Sequence, residues 1–494
     1  MERLLDIFDE IDGMDATGRL RVVLAGDFML DEYVHGDVER ISQEAPIPVL
    51  RVTKRDYRGG GAGNAASAIA ALGGRVECVG VVGADWQANK VIEPLAAVGA
   101  GTEGLVALSD RPTTIKTRYV GLAQHKNPHQ ILRVDDEVTS PLPADVAKKL
   151  IHAVAAALDK DTILAFQDHN KGVLADATAQ AMIAAARKVG AKVVVDPAPV
   201  ANIARYRGAT ILTPNRHEAA LAGGVMITDE ASCQKAVRNI IKITGAEAVV
   251  ITLDAQGSYL GDADGGRLIP TAPRAVADGT GAGDAVMAML CVALAGGCDL
   301  AAAVELANVA GGLEVERFGV VPVTRDEIRD ELRRRIGLRR SKIMDRKRLA
   351  QELERIRRDG GTVVFTNGCF DLLHMGHVNY LQQAREHGTC LVAAINSDAG
   401  VQRLKGPKRP VIGQEERAKM LASLECIDFV TIFDEDTPDA LLELLRPDIL
   451  VKGGSTDVIV GKDFVESYGG KVQRLDLVAG MSTTDIINRI LETH

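Results

Sequence analysis

The chain has 494 residues, of which 46% are hydrophobic and 25% charged, and its formal net charge is −9. The composition is typical of a globular protein, and the length allows two large domains or three average ones, each with a substantial core. The negative charge argues against nucleic acid as a main partner, although a small anion needs only a local pocket.

The sequence pattern predicts no targeting signal, no membrane span and no disulfide framework. The acidic segment 1–10 has no long apolar core and so does not read as a signal peptide. The longest hydrophobic stretch, Ala285–Cys298, is too short to span a bilayer and predicts a buried helix. The seven cysteines are scattered without a Cys-x-x-Cys, which indicates reduced thiols. We therefore expect a cytoplasmic protein with no membrane partner.

Apolar, strand-like runs alternate with helical patterns along most of the chain. This alternation favours parallel sheets covered by helices, which is the α/β class. In the larger, amino-terminal part the predicted strands lie at 22–25, 76–82, 163–166, 193–195 and 249–253.

A glycine-rich segment, Arg58–Gly74, continues into an alanine-rich pattern. We predict a loop that exposes its backbone and then a helix, with Asn64 available to bind hydroxyl groups.

A second glycine-rich segment, Asp278–Asp284, precedes the apolar helical stretch. Such glycines let backbone N–H groups converge on a phosphate because no Cβ atoms intervene. The segment alone is also compatible with a dinucleotide loop, but no Gly-Lys-Ser/Thr follows, so it is not a Walker A motif. Asp284 can act as a general base towards a substrate hydroxyl or as a helix cap, and the local run does not decide between them.

These two segments, together with Gly26–Asp31 after the first predicted strand, resemble the ribokinase-like carbohydrate kinase family. The resemblance covers most of residues 20–325 and implies a three-layer α/β/α domain with a small β lid, ATP and Mg²⁺ as cofactors, and a homodimer formed through the lid strands. It makes Asp284 the general base. The other implied ligands are Gly281, Ala282 and Gly283 for the anion hole, Asp31, Gly60, Gly61 and Asn64 for the sugar, Asn215 and Glu218 for Mg²⁺, partly through water, and Thr252, Gly257 and Asn308 for the nucleotide.

Two departures from the family pattern affect the loops around the phosphates. Asp278-Gly-Thr replaces the commoner Asp-Thr-Thr type, and the segment Asp196–Pro199 lacks the basic residue that often follows Asp-Pro. Basic residues that can serve an anionic sugar instead are Lys116, Arg118, Arg133 and Lys171.

Residues 325–358 are dense in Arg and Lys and have few apolar anchors. A solvated linker and helix explains this run better than a nucleic-acid site does. We predict a first domain over 1–338, a linker over 339–345 and a second domain over 346–494. In the second domain the predicted strands lie at 362–366, 391–395, 429–432 and 449–451.

The most informative segment of the second domain is Phe365–Leu381, which combines the end of a strand, an Asn-Gly turn and the start of a helix. His374 and His377 are three residues apart, on one face of the first helical turn. A helix start offers unpaired N–H groups and a partial positive charge, so a triphosphate there meets backbone and imidazole donors. Metal binding is the alternative, but the spacing lacks the Glu of His-Glu-x-x-His and no Cys/His cluster accompanies it.

Asn-Gly-Cys-Phe-Asp-x-x-His-x-Gly-His resembles the HxGH nucleotidyltransferase family, which implies a smaller Rossmann-like domain that transfers a nucleotide monophosphate to a phosphorylated acceptor. The resemblance makes His374 and His377 catalytic ligands of the triphosphate. Other nucleotide ligands expected on this basis or from anion-suited positions are Asn367, Phe370, Gly376, Lys405, Arg417, Lys452, Ser482 and Thr483. For the hydroxyls in 481–485, capping of the last helix is the alternative role.

The pairing of the two domains, with segment 40–49, resembles the bifunctional heptose kinase and adenylyltransferase enzymes of ADP-heptose synthesis over nearly the whole chain. It implies small-molecule sugar phosphates and ATP as partners. Two alternatives stay open: another sugar or polyol phosphate with a nucleotide such as CTP, and a second domain that only senses nucleotide and regulates the kinase.

Overall fold

The computed structural model of the protein describes residues 2–14, 18–122, 129–272, 274, 281–317, 321–336, 342–358, 360–453 and 459–475. The chain divides into two compact units, Met1–Leu338 and Arg339–His494. Among the described residues, no helix is long and apolar enough to cross a membrane.

Strands and helices alternate in the first unit. Its strands are β1 (Arg21–Gly26), β2 (Phe28–Ile41), β3 (Pro48–Gly61), β4 (Arg75–Gly83), β5 (Gly101–Leu108), β6 (Thr114–Leu122), β7 (His129–Asp136), β8 (Ile163–Gln167), β9 (Lys192–Asp196), β10 (Ile211–Leu212), β11 (Ala248–Thr252), β12 (Ser258–Gly261) and β13 (Gly266–Ile269). Its helices are α1 (Glu2–Met14), α2 (Ala62–Ala71), α3 (Trp86–Ala97), α4 (Ala144–Ala157), α5 (Asp176–Val189), α6 (Arg216–Gly223), α7 (Glu230–Thr244), α8 (Ala282–Ala295), α9 (Leu300–Glu314) and α10 (Arg325–Arg335).

The central sheet of this unit has the strand order β13-β12-β11-β10-β9-β8-β1-β4-β5. Its pairs are parallel except at β11-β12 and β12-β13. Successive residues of β1 enter different cores: Val22 and Leu24 pack in a cluster with α2, α8 and α9, whereas Val23 and Ala25 pack with α4, α5 and α7. The sheet is therefore covered on both faces, which confirms the predicted three-layer α/β/α domain.

Helix α8 is apolar from Ala285 to its end because it lies inside this layered core. Its residues from Ala285 to Leu294 are buried, and it packs against α9 and α2. The small residues of α2 allow close approach. This confirms the buried helix predicted from the hydrophobic stretch, with a start a few residues earlier.

A second, smaller sheet in the order β3-β2-β6-β7 forms the lid. The long strands β2 and β3 pair antiparallel from Phe28↔Gly61 to Ile41↔Pro48. Residues 58–61 are therefore the end of a strand, and the loop predicted there is wrong. The helix follows at once, because Gly61, with φ of 54°, turns the chain into α2.

The basic run contributes a helix to each unit. In the first unit α10 is capped by Thr324, and Arg329 pairs with Asp9 and Asp12 of α1. In the second unit, residues 342–344 pair with the strand at 429–433, where the amide of Met344 donates to the carbonyl of Val430 at 2.9 Å. Part of the segment predicted as a linker is thus packed on the second unit.

The second unit is a parallel sheet covered by helices. Its strands are β14 (Val363–Gly368), β15 (Cys390–Asn396), β16 (Phe429–Phe433), β17 (Ile449–Gly453) and β18 (Lys471–Leu475), in the order β16-β15-β14-β17-β18. Its helices are α11 (Arg346–Arg358), α12 (Met375–Glu386), α13 (Asp398–Lys405), α14 (Gln414–Ala422), α15 (Asp439–Leu445) and α16 (Lys462–Ser467). Alternate residues of β14 and β15 enter two cores, one with α11 and α15 and the other with α12 and α14. This is the predicted Rossmann-like architecture.

Candidate active sites

The carboxylate of Asp284 is the centre of the first site. It lies in the first turn of α8, and each of its oxygens receives one amide hydrogen bond, Oδ2 from Asn64 and Oδ1 from Gln167. Burial is the largest influence on this carboxyl group and raises its pKa to about 7. A carboxylate with such a pKa can take a proton from a hydroxyl near neutral pH.

Asp196 stands next to this centre at the end of β9. Its Oδ2 accepts a hydrogen bond of 2.7 Å from the same amide nitrogen of Gln167. Burial and the neighbouring carboxylates of Glu218 and Asp284 raise its pKa well above the ordinary range. The acidic side chains of Asp196, Glu218 and Asp284 therefore form one region of negative charge.

A cavity of about 820 Å³ opens beside the start of α8. It is lined by most of the predicted nucleotide ligands, namely Asn215, Thr252, Gly257, Ala282, Gly283 and Asn308. Gly281 caps α8 with a φ of 94°, a conformation that favours glycine. The amide of Asn308 is already engaged, because Oδ1 accepts from Ser258 and Nδ2 donates to the carbonyl of Ile269. Asn308 thus supports the cavity wall.

Asn215 and Glu218 form a capping box at the start of α6. The amide of Glu218 donates to Oδ1 of Asn215 at 2.9 Å, and the amide of Asn215 donates to Oε2 of Glu218 at 2.8 Å. Among the described residues, no group of three or more His, Cys, Asp or Glu side chains is close enough to hold a metal directly. The neighbouring oxygens nevertheless suit a hard cation, whose charge would relieve the repulsion among Asp196, Glu218 and Asp284.

The predicted sugar ligands meet where the lid joins the central sheet. Asp31 on β2 is paired with Arg118 on β6 at 2.7 Å, and both side chains are largely buried. Gly60 lies directly against Asp31, where a Cβ atom would be 2.9 Å from Oδ2. The glycine therefore leaves room for the carboxylate.

The basic residues proposed for an anionic sugar differ in their surroundings. Lys171 pairs with Glu137 at 2.6 Å, and Arg133 pairs with Asp135 at 2.8 Å on the exposed strand β7. Lys116 is partly buried, which lowers its pKa, and it is influenced by Asp31 and by both of these cations. The three thus lie in one neighbourhood.

In the second unit His374 and His377 come together at the start of α12. His374 is the N-cap residue and His377 lies in the first turn, and their rings stack with centroids 3.9 Å apart. Burial lowers the pKa of both, that of His377 to about 4, so His377 is neutral near pH 7. Neutral imidazoles can donate N–H groups to phosphate oxygens without adding charge. Gly376 between them is buried and Phe370 contacts His377.

Lys452 and Asn367 face each other across neighbouring strands β17 and β14. The ammonium group of Lys452 donates to the carbonyl oxygen of Asn367 at 3.0 Å and to Oδ1 at 3.1 Å. Burial lowers the pKa of Lys452. A poorly solvated ammonium of this kind is suited to an anionic ligand.

Arg417 and Lys405 differ in exposure, since the first is buried and the second is on the surface. The side chain of Arg417 is 0% exposed, and its donors engage the carbonyls of Cys369 and Ile412 and the carboxylate of Asp398. This placement differs from the ligand role expected for Arg417, because the guanidinium braces the motif loop from within. Lys405 is exposed at the end of α13.

Three polar residues near the first site were not predicted from the sequence, namely Asp27, Gln167 and His169. Asp27 accepts backbone N–H bonds from His169 and Lys171, which shapes the loop after β8. Gln167 ends a buried strand, and no local pattern marks its role. The predicted residues Asp278, Ser482 and Thr483 lie outside the described part of the chain.

Both units match known protein families. Residues 20–326 match the pfkB family of carbohydrate kinases, and residues 365–489 match the cytidylyltransferase-like family. The chain is 44% identical over 478 residues to the bifunctional protein HldE of Syntrophotalea carbinolica, covering 96% of each chain. It is also 44% identical over 482 residues to the bifunctional protein HldE of Geobacter sulfurreducens, covering 97% of each.

Solved structures resemble the first unit in fold. Phosphofructokinase-2 from Escherichia coli aligns with a TM-score of 0.52 and 19% identity, covering 63% of this chain and 97% of that one. Ribokinase from Arabidopsis thaliana, solved with ribose and ATP, aligns with a TM-score of 0.50 and 21% identity, covering 62% and 97%. These likenesses confirm the ribokinase-like fold.

Proposed function

The chain belongs to the family of bifunctional HldE proteins, and on that premise we propose that it catalyses two steps in the synthesis of ADP-heptose. It is a carbohydrate kinase in its first domain and a nucleotidyltransferase in its second. In the proposed first step, ATP phosphorylates D-glycero-β-D-manno-heptose 7-phosphate at C1. In the second, the adenylyl group of another ATP passes to heptose 1-phosphate, giving ADP-heptose for the inner core of lipopolysaccharide. A separate phosphatase must remove the 7-phosphate between these steps.

The observation that carries the kinase proposal is the carboxylate of Asp284 in the first turn of α8. It accepts hydrogen bonds from the side-chain amides of Asn64 and Gln167. The C1 hydroxyl gives its proton to this carboxylate while its oxygen attacks the γ-phosphorus. The bond from the γ-phosphorus to the bridging oxygen breaks, and ADP leaves with the electron pair. Gly281 and the first amides of α8 would stabilise the charge on the γ-phosphoryl oxygens.

The sugar and the nucleotide would enter from two sides. The cavity lined by Thr252, Gly257 and Asn308 suits the nucleoside, and Asp31, Gly60 and Asn64 suit the sugar hydroxyls. Lys116 and Lys171 supply positive charge for the 7-phosphate, and Arg133 adds to it from the lid. Asn215 and Glu218 would hold Mg²⁺, partly through water. When bound, Mg²⁺ neutralises charge on the ATP phosphates.

The adenylyl transfer needs no covalent enzyme intermediate, because the sugar phosphate is already a nucleophile. A phosphate oxygen of heptose 1-phosphate attacks the α-phosphorus of ATP, the α–β bridging bond breaks, and pyrophosphate leaves. His374, His377 and Lys452 would donate to the triphosphate as charge moves onto the leaving group. The stacked imidazoles and the amides at the start of α12 support this role.

We further propose that two copies of the chain pair through their lid sheets. Apolar side chains of the lid strands and of the connection between β2 and β3 are exposed, among them Leu132 at 55% and Ile47 at 56%. Burial of such residues between two copies would stabilise a homodimer. Light scattering of the purified protein should give twice the mass of the chain, and Ile47→Asp should shift it towards the monomer.

Product analysis tests the proposed function directly. The purified chain is given ATP and heptose 7-phosphate, and phosphorus NMR should show a 1,7-bisphosphate and ADP. Given heptose 1-phosphate and a panel of nucleotides, it should release pyrophosphate most rapidly with ATP. A preference for CTP with a polyol phosphate would support the alternative acceptor. If no combination of nucleotide and sugar phosphate released pyrophosphate, the alternative of a regulatory second domain would be supported.

A further inference from the structure

Gln167 occupies a central place in the first unit, and the proposed mechanism gives it no role beyond its contact with Asp284. It is the last residue of β8, where it lies in register with Gly26 of β1 and Asp196 of β9. Its side chain is buried, with only 1% of the residue exposed. The end of a central parallel strand is where α/β proteins place groups that face a ligand.

The amide of Gln167 bridges two carboxylates. Its nitrogen lies 2.7 Å from Oδ2 of Asp196 and 2.9 Å from Oδ1 of Asp284. An amide nitrogen carries two hydrogens, so one is available for each acid. With Asn64 on the other oxygen, the Asp284 carboxylate is fixed by amides from two different elements.

We propose that Gln167 is a positioning residue for the catalytic base, which orients the Asp284 carboxylate towards the sugar hydroxyl and favours its ionised form. This inference rests on the proposed role of Asp284 in phosphoryl transfer. Gln167 acts through Asp284 and takes no proton itself.

The unused oxygen of the same amide supports this assignment. Within the described residues Oε1 of Gln167 is buried and has no hydrogen-bond partner. A buried acceptor of this kind costs about 1–3 kcal/mol. The amide is kept in spite of this cost because its nitrogen donates to two carboxylates, which an apolar residue of the same size would leave without that donor.

The charges around the bridge are mostly negative. Asp284 is also influenced by Asp31, Lys116 and Glu314, and Asp196 by Glu218. His169 has its Nε2 3.5 Å from the Gln167 nitrogen, and burial keeps that imidazole neutral by lowering its pKa to about 3. An uncharged double donor separates the two acids without adding a cation that would pair with the base.

The test compares Gln167→Met, which keeps volume but removes both donors, with Gln167→Glu, which keeps shape but replaces donors by an acid. The matched control is Gln180→Met, because Gln180 on helix α5 likewise donates twice, to the carbonyls of Arg205 and Arg207. Each full-length variant is assayed for kcat and KM of sugar phosphorylation across pH, for ATP binding, and for nucleotidyl transfer.

We expect Gln167→Met to lower the kinase kcat by about 10- to 100-fold. This is equal to or slightly below the loss that follows removal of a hydrogen-bond donor that contacts the reacting group directly. KM for both substrates should stay within about twofold of the wild type, since Gln167 is placed to contact the base rather than substrate. The acidic limb of the kcat profile should move to higher pH, because loss of a donor to the ionised form raises the pKa of a carboxyl group. Gln167→Glu should move it further. Gln180→Met and nucleotidyl transfer should be unaffected.

Two outcomes would overturn the inference. One is a wild-type kcat and acidic limb in Gln167→Met. The other is a loss of ATP binding in parallel with kcat in both variants, which would mean a structural role. If the wild type itself phosphorylated no sugar phosphate, the proposed function would fail instead, so the two failures are distinguishable.

Discussion

The side-chain amide of Asn64 donates a hydrogen bond to Oδ2 of Asp284, although the two residues are 220 positions apart in the sequence. Asn64 lies in the first turn of α2, which begins directly after the lid strand β3, whereas Asp284 lies in the first turn of the buried helix α8. The hydrogen bond therefore ties the sugar-binding end of the lid to the proposed base. A sugar bound against the lid, as proposed, would therefore lie close to the proposed base.

Asp284→Asn should abolish the kinase reaction selectively. The substitution keeps the shape of the side chain but removes its basicity, so we expect kcat for sugar phosphorylation to fall by about 10²- to 10⁴-fold. Release of pyrophosphate from ATP and heptose 1-phosphate should continue at the wild-type rate. The control is Asp264→Asn, at an exposed position without a partner role in either site. Loss of both reactions in Asp284→Asn would contradict two independent sites.

The kinase and the nucleotidyltransferase should differ in their dependence on pH. Asp284 has to be ionised to accept a proton, and burial places its pKa at about 7. Kinase kcat/KM should therefore fall as the pH drops below 7, approaching tenfold per unit. His377, with a pKa near 4, stays neutral from pH 5 to 8. The substrate phosphate titrates as well, so its own pKa is measured by phosphorus NMR and the acidic limb of the kinase profile is compared with it. A kinase rate that followed only the substrate titration, or that did not fall below pH 7, would refute the assignment.

His377→Ala should give the reverse pattern of loss. Removing one donor to the triphosphate should lower nucleotidyl transfer by about 10²- to 10³-fold and leave sugar phosphorylation intact. His387→Ala is the matched control, since His387 caps the far end of the same helix. Pyrophosphate release measures the first effect and ADP release the second. If His377→Ala released pyrophosphate normally, the imidazole would have no role in the transfer.

The central strands were predictable from sequence because they are buried on both faces and read as continuous apolar runs, as in Val193–Val195. The lid strand β3 is mostly polar and exposed, so its residues carry no apolar period, and its pairing with β2 depends on contacts outside the local run. The resemblance to ribokinase-like carbohydrate kinases implied a β lid but did not say at which residues its strands begin and end.

The site divides in the same way. Glycine-rich turns and paired histidines are local patterns, so Asp284, His374 and His377 could be proposed from the sequence. Gln167 was not, because its role depends on an acid 117 residues away. Arg417 is the converse case: a basic residue at a helix start resembles an anion ligand, and only the packing of the loop shows that its donors are engaged.

Arg417→Met should destabilise the second unit rather than only weaken substrate binding. It would leave the part-buried carbonyls of Cys369 and Ile412 without their donor, for which we expect a loss of about 1–3 kcal/mol. Arg403→Met, which removes exposed contacts with Asp434 and Asp436, is the control and should have a smaller effect. Thermal inactivation of nucleotidyl transfer measures both, with kinase activity as the internal reference. Equal thermal stability of the two variants would contradict the bracing role.

Gly61→Ala should disrupt the junction between the lid and α2. The backbone there has a φ of 54°, which costs a residue with a Cβ atom about 1–2 kcal/mol, and the added atom would lie 2.7 Å from the carbonyl oxygen of Asp27 and 2.9 Å from the His169 ring. Because the turn at Gly61 sets the direction of the helix that carries Asn64, a shift there should misplace the amide that holds Asp284. We expect kinase kcat to fall together with the thermal stability of the first unit, while nucleotidyl transfer is retained. Gly265→Ala is the matched control, since a Cβ atom there meets open space. Wild-type kinase activity in Gly61→Ala would show that the geometry of this junction does not position the base.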